Sequence, residues 1–313
     1  MSAAEAPHRT NPLILIALAQ VLALSVWFAG AAALPGLVAA GDLSSFHQAA
    51  LTTAVQIGFV IAALSSAILG LPDRVDPRRL FAVGATLAAL SNAIALTLPA
   101  DSLAMIATRL LAGASLALVY PVGMKLVVSW ARGDAGLLVG LLVGALTLGS
   151  AAPFAFTLAD IGLGWQAPFI VSAVAALLAP PIILAARAGP NMRAAPPFNP
   201  KAALLAIKDP ALRLANLGYL GHMWELYAMW AWIGPFLHIY WAQQNGDAFA
   251  ANLTAFAVVA VGAIASLIAG LAADRYGRTT ITMTAMAVSG TCALLSGVMF
   301  DATPWLMIPL LLV

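Results

Sequence analysis

Two ionisable side chains stand where simple packing would be a costly use of them. Glu225 lies in the run Gly221-His-Met-Trp-Glu-Leu-Tyr-Ala-Met-Trp230, with apolar and aromatic residues on both sides. On a helix His222 precedes it by one turn, and Met229 and Trp232 follow at one and two turns on the same face. Charge is expensive in such surroundings, so an acid beside an imidazole is suited to taking up and releasing a proton, or to holding a cationic solute. A protonated glutamate hydrogen-bonded inside a helix bundle is the plainer alternative. Arg109 is the one basic residue inside an apolar stretch, and Gly113 and Tyr120 follow at i+4 and i+11 on its helical face. It must face the protein interior, either as a packing element or as a guanidinium fork that holds a substrate anion. Gln20, Trp27 and Gln56 are further candidates to line a cavity, although glutamine also serves as hydrogen-bonding glue between helices.

Other chemistries lack their residues. The lone cysteine, Cys292, lies in an apolar run, so neither a disulfide framework nor a paired metal site is expected. There is no phosphate-binding glycine loop, no dinucleotide site and no H-E-x-x-H helix, so no cofactor and no enzyme activity is expected.

The elements that must position these residues are long apolar helices. Of the 313 residues 63% are apolar and 8% charged, and the mean hydropathy is +0.98. A soluble domain carries about 25% charged residues, so lipid is part of this chain's solvent. About 20 apolar residues cross a hydrocarbon core of about 30 Å. Windows of that length give nine complete spans, at 12–38, 48–70, 80–99, 103–129, 136–158, 166–186, 211–241, 250–272 and 279–299. A tenth begins near Trp305 and is still apolar at Val313. A helix is not expected to stop midway through a bilayer, so the tenth reads as truncated and the chain as C-terminally incomplete. The first apolar stretch exceeds the short core of a cleavable signal peptide.

Charge placement tests this map independently. Thirteen of the 14 Lys and Arg residues fall on one side: Arg9, then Arg74, Arg78 and Arg79, then Lys125 and Arg132, then Arg187, Arg193, Lys201, Lys208 and Arg213, then Arg275 and Arg278. The alternate loops hold Asp42, Asp101, Asp160, Asp247 and Asp301, with no Lys or Arg. By the positive-inside rule the basic loops and the N-terminus are cytoplasmic, which predicts a multi-pass protein of a bacterial inner (plasma) membrane. The net charge of +2 reflects these topogenic residues and implies no nucleic-acid partner.

The longest connection, 187–210, contains Pro190, Pro196, Pro197 and Pro200 and reads as a cytoplasmic linker. It divides the chain into an N-terminal six-helix half, 1–186, and an incomplete C-terminal half, 211–313. The Asp73-Arg74 pair recurs at Asp274-Arg275, in each case after the second span of its half. The expected architecture is all-α and membrane-integral, built from two parallel six-helix repeats.

The stretch Gly270-Leu-Ala-Ala-Asp274-Arg275-Tyr276-Gly277-Arg278 resembles the loop signature G-x-x-x-D-R-x-G-R of the major facilitator superfamily. Its first-half partner, Gly70-Leu-Pro-Asp73-Arg74-Val-Asp76-Pro77-Arg78-Arg79, is degenerate, with the leading glycine one place late and Asp76-Pro77 in place of a single glycine. Arg109 with Gly113 is similar to the family's R-x-x-x-G, and Gly136, Gly140 and Gly144 give the fifth span a glycine-rich face. The resemblance implies a secondary transporter, symporter or antiporter, that works by alternating access as a monomer. Asp73, Arg74, Asp274, Arg275, Gly277 and Arg278 would then bias its gate, and Arg109 would be structural or part of proton coupling. Small-molecule substrates, protons and the bilayer are the partners so implied. Two cargo classes fit the residues: small anions of the nitrate or cyanate kind, and amphipathic organic compounds exported against protons. An intramembrane enzyme or a receptor lacks the needed residue cluster and fits the repeated loops poorly.

Overall fold

The computed structural model describes residues 9–41, 43–158, 162–194, 199, 205 and 207–313. Among them all regular structure is helical: α1 (Thr10–Leu24), α2 (Ala29–Ala40), α3 (Ser45–Leu69), α4 (Leu71–Arg74), α5 (Pro77–Ala95), α6 (Leu103–Leu116), α7 (Tyr120–Val128), α8 (Ala135–Phe156), α9 (Ala167–Ala185), α10 (Pro210–Gln243), α11 (Ala248–Tyr276), α12 (Arg278–Val298) and α13 (Pro304–Leu311). Side chains mark several starts. Ser102 accepts the N–H of Met105, Asp209 that of Leu212 and Asp247 that of Ala250, satisfying first-turn donors that have no partner within the helix.

Among the described residues, seven helical stretches are long and apolar enough to cross a membrane: Thr10–Ala40, Ser45–Leu69, Leu103–Val128, Ala135–Phe156, Gly164–Ala185, Ala248–Tyr276 and Arg278–Val298. Helices α5 and α10 fall where the third and seventh spans are expected but are less apolar. Arg78 and Arg79 open α5, and α10 carries Arg213, Asn216, His222, Glu225 and His238. Asp42, Asp160, Lys201 and much of the expected linker lie outside the described residues.

The first and fourth spans are not the continuous helices expected. The first breaks over Ser25–Phe28, where the Ser25 hydroxyl donates back to the Leu22 carbonyl at 2.7 Å. Ser172 of α9 donates to the Ser25 carbonyl at 2.9 Å, so the irregular backbone is satisfied inside protein. The fourth breaks over Ala117–Val119, just before Pro121, which has no N–H to return to the preceding turn. Trp27 lies within the first break, and Tyr120 directly follows the second.

Helices α1–α9 pack mainly with one another. In the contact of α3 with α6, a Cβ on Gly58 would overlap the Leu110 carbonyl and one on Gly113 the Val55 carbonyl. The later helices join them along α8, which α11 follows closely, and near α2. Burial in α10 and α11 is confined to one end: Trp230, Ile233, Gly234, Leu237 and Tyr240 in α10, and Ala251, Thr254, Ala255, Val258 and Val259 in α11. This is the end opposite the basic loops.

Candidate functional site

A glycine face on α8 sets the seam between the earlier and later helices. Gly136, Gly140 and Gly144 are spaced by one turn, and small residues at that spacing let two backbones approach. A Cβ on Gly140 would stand 2.6 Å from the Ser266 carbonyl, one on Gly144 2.8 Å from that of Ala263, and one on Gly136 inside the Asp274 carboxylate. Asp274, in the last turn of α11, uses that space to reach the start of α8, where one carboxylate oxygen accepts the Leu137 N–H at 3.2 Å. The carboxylate thus meets both an orphan donor and the positive end of the helix dipole. The residue preceding α8, Asp134, makes no such cap. It accepts the Arg132 N–H at 2.8 Å and pairs with Arg9 at 2.7 Å, which together hold its carboxyl below the usual range. After Asp274 the chain turns at Gly277, whose φ of 90° favours glycine, and Arg278 begins α12. The Arg275 guanidinium lies 5.3 Å over the Tyr276 ring.

The first Asp-Arg pair is arranged differently. Asp73 pairs with Lys125 at the end of the fourth span, and Lys125 also donates to the Pro72 carbonyl at 3.0 Å. Arg74 is exposed beside it. Arg78 binds both carboxylate oxygens of Asp76 and donates to the Ala186 carbonyl at 3.2 Å, tying this loop to the end of α9.

Deeper in the bundle, Trp27 is 2% exposed between two aromatic rings: Phe59 of α3 at 4.8 Å and Tyr227 of α10 at 5.8 Å, the latter nearly parallel. Phe28 meets Trp230 edge-on at 5.6 Å. Tyr120 and Tyr219 lie within electrostatic range of Tyr227. Gln20 is completely buried, with its amide oxygen against Gly123 of α7. Neither end of that amide has a hydrogen-bond partner, and the Trp27 indole N–H and the Gln56 amide oxygen also lack one.

Glu225 stands apart from this cluster. It accepts a hydrogen bond from Ser289 of α12 at 2.7 Å, while Tyr227, two residues on and so on another side of α10, faces Trp27. His222 is half-buried one turn away, whereas Trp224 and Trp232 are largely exposed. Arg109 is fully enclosed: it donates to the Asn92 side chain at 2.7 Å and the Ser91 carbonyl at 3.2 Å, and its guanidinium lies 4.8 Å over the Phe169 ring. Tyr120 is not among these partners, and the helix that would carry the i+11 relation breaks at Ala117. Sequence reasoning missed Lys125, Phe59, Tyr227 and Ser289 as partners. For Tyr227 a signal existed, since Tyr219 and Tyr227 lie eight residues apart and so share one face of a predicted span.

An apolar cleft of about 630 Å³ also runs between α1, α8 and α11, with Arg9 at one end and Leu13, Leu18, Leu141, Ile264 and Leu267 among its walls.

Helices long enough to span, a glycine seam between two sets of them and a polar contact across that seam point to a membrane carrier rather than an enzyme. The description "Major Facilitator Superfamily" belongs to the family model that matches residues 16–232, and the chain belongs to that family. No curated protein matches the chain. Among solved structures it is similar to the nucleoside transporter NupG, crystallised as a mutant (13% identity, TM-score 0.64, covering 96% of this chain and 78% of that one). It is also similar to a D-xylose-proton symporter (15%, 0.61, 96% and 78%), and to the proton:xylose symporter XylE bound to 6-bromo-6-deoxy-D-glucose (16%, 0.55, 87% and 71%). The protein is therefore a multi-pass secondary transporter.

Proposed function

We propose that the chain moves a small solute by alternating access, with 1–186 and 211–313 as the two moving parts, 187–210 linking them, and proton exchange at Glu225 coupled to the movement. The observation that carries this reading is the Asp274 contact with the start of α8. It joins the two parts through a polar bond at the basic face, which must break when that face opens. The alternation of charged loops supports placing the basic face in the cytoplasm of a bacterial inner membrane, with the N-terminus inside. A single carboxyl group in a span, bonded to a hydroxyl donor and with His222 one turn away, is suited to carry the proton. The proton symporters among the similar structures give this coupling a precedent within the fold. The small-anion reading needs a cation facing the solute path. Arg109 is sealed among Asn92, Ser91 and Phe169, and we assign it a structural role. Export of amphipathic compounds keeps one supporting observation, the apolar cleft beside α1.

The test is uptake into proteoliposomes under an imposed pH gradient, using whichever solute stabilises the purified protein against heat. Glu225→Gln is expected to abolish gradient-driven accumulation while counterflow exchange persists. Full gradient-driven uptake with an unchanged pH profile would falsify the coupling role.

A further inference from the structure

A carrier must discriminate, and the buried polar atoms around Trp27 state a preference. Gln20 has a complete amide in the interior with no partner at either end, and it is 0% exposed. Leaving a buried polar group unpaired is costly in proteins, so such an amide is kept for something that meets it. It is not isolated. Its oxygen lies against Gly123, one turn from Tyr120, which is within electrostatic range of Tyr227, and Tyr227 stacks on Trp27. The indole N–H of Trp27 is unpaired as well. On the other side of Trp27, Phe59 is one turn from Gln56, whose amide oxygen also lacks a partner. Donors and acceptors from α1, α3, α7 and α10 are thus linked to one aromatic stack.

The chemistry of this group is specific in what it lacks. Each polar member is a neutral amide, indole or phenol. The nearest intramembrane carboxyl, Glu225, is turned to Ser289, and the one intramembrane guanidinium is enclosed by its own partners. A desolvated ion entering here would find no counter-charge. Hydroxyl groups would instead find both donors and acceptors, and a flat or weakly polar ring face would find aromatic rings. We infer that the cluster of Gln20, Trp27, Gln56, Tyr120 and Tyr227 is the binding site for a neutral, polyhydroxylated ring compound, a free sugar or a nucleoside. The inference rests on the transporter reading and supplies its substrate class. Tyr227 and Trp27 come from the two parts that move, so the solute enters as their stack opens, and Gln20 meets its hydroxyls.

The experiment is thermal shift and calorimetric titration of the intact chain in detergent with five probes at matched ionic strength: D-xylose, uridine, sodium nitrate, sodium gluconate and choline chloride. A ligand that binds only the folded state raises its apparent stability. D-xylose or uridine is expected to raise the melting temperature, and which of them does so separates sugar from nucleoside. The charged probes are expected to have no effect. Gln20→Met, which fills the same space without the amide, should weaken the neutral probe's affinity about tenfold, the loss of one good hydrogen bond. Its ligand-free melting temperature should be unchanged or higher. Trp27→Phe, which keeps a ring and removes the N–H, should weaken binding in the same direction and provides the test if Gln20→Met fails to fold. The inference is overturned if neither neutral probe binds, if a charged probe binds and survives both substitutions, or if Gln20→Met melts lower with affinity intact, which would make Gln20 purely structural. A neutral solute that binds but is never carried sinks the transport reading and leaves the site. A charged solute carried under a pH gradient does the reverse.

Discussion

Asp73 and Asp274 begin the same Asp-Arg dipeptide, yet their carboxylates go to opposite kinds of partner. Asp73 pairs with Lys125, within the bundle to which it belongs, whereas Asp274 crosses to the backbone of α8. The cause is visible in the glycines. Gly70, with φ of 61°, ends α3 before Asp73 is reached, and the aspartate lies in the separate short helix α4. In the second loop α11 runs unbroken through Asp274 to Tyr276, and the turn falls afterwards at Gly277. The carboxylate is therefore carried on the end of a long rigid helix directly over Gly136. One place of difference in a glycine separates an aspartate held within its own bundle from one that crosses to α8.

That contrast can be broken at three points. The largest effect is expected from Asp274→Ala, which removes a charge-assisted helix cap worth about 1–2 kcal/mol. With spin labels at Arg79→Cys and Thr279→Cys in a Cys292→Ser background, the population with separated basic faces should rise about tenfold. An unchanged distance distribution would mean that Asp274 is no latch. Asp73→Ala should leave that distribution as it is. It should lower stability by no more than about 1 kcal/mol, as expected of a partly exposed pair, which thermal melting would read. If Asp73→Ala separated the faces as much as Asp274→Ala, the distinction between brace and latch would collapse.

The smallest effect concerns Asp76. The Arg78 side chain bonded to it holds its carboxyl below the ordinary 3.8. A carboxyl depressed in the folded state stabilises above the unfolded pKa, and that contribution is lost as pH falls through the folded value. Asp76→Asn should therefore melt slightly below the parent at pH 7, and the gap should close as both are taken to strongly acid pH. A gap that widened on acidification would reverse the assigned sign.

Much of the architecture was legible because hydrocarbon imposes it. Long apolar runs, basic loops on alternate sides and the turn signature at Gly270–Arg278 follow from rules that act along the chain. The partners were harder. Leu137 and Asp274 are 137 positions apart, and no local pattern states that a glycine on one helix leaves room for an aspartate on another. Helical-face reasoning also failed wherever the helix did: neither the break at Ser25–Phe28, which has no proline or glycine within it, nor its effect on Trp27 can be read from periodicity. Glu225 was recognisable as unusual, but aromatic residues on every side of α10 gave no means to tell which face meets α1 and which meets α12.

The α8–α11 seam has a mechanical meaning beyond closeness. Where Gly140 and Gly144 meet Ser266 and Ala263, backbone lies on backbone. Interdigitated side chains give an interface discrete resting places, because each knob must leave its hole before the surfaces can turn. A line of glycines is smooth by comparison. In the alternating-access movement proposed above, such a line would serve as a bearing between the two sets of helices, with the carboxylate at its end as the catch.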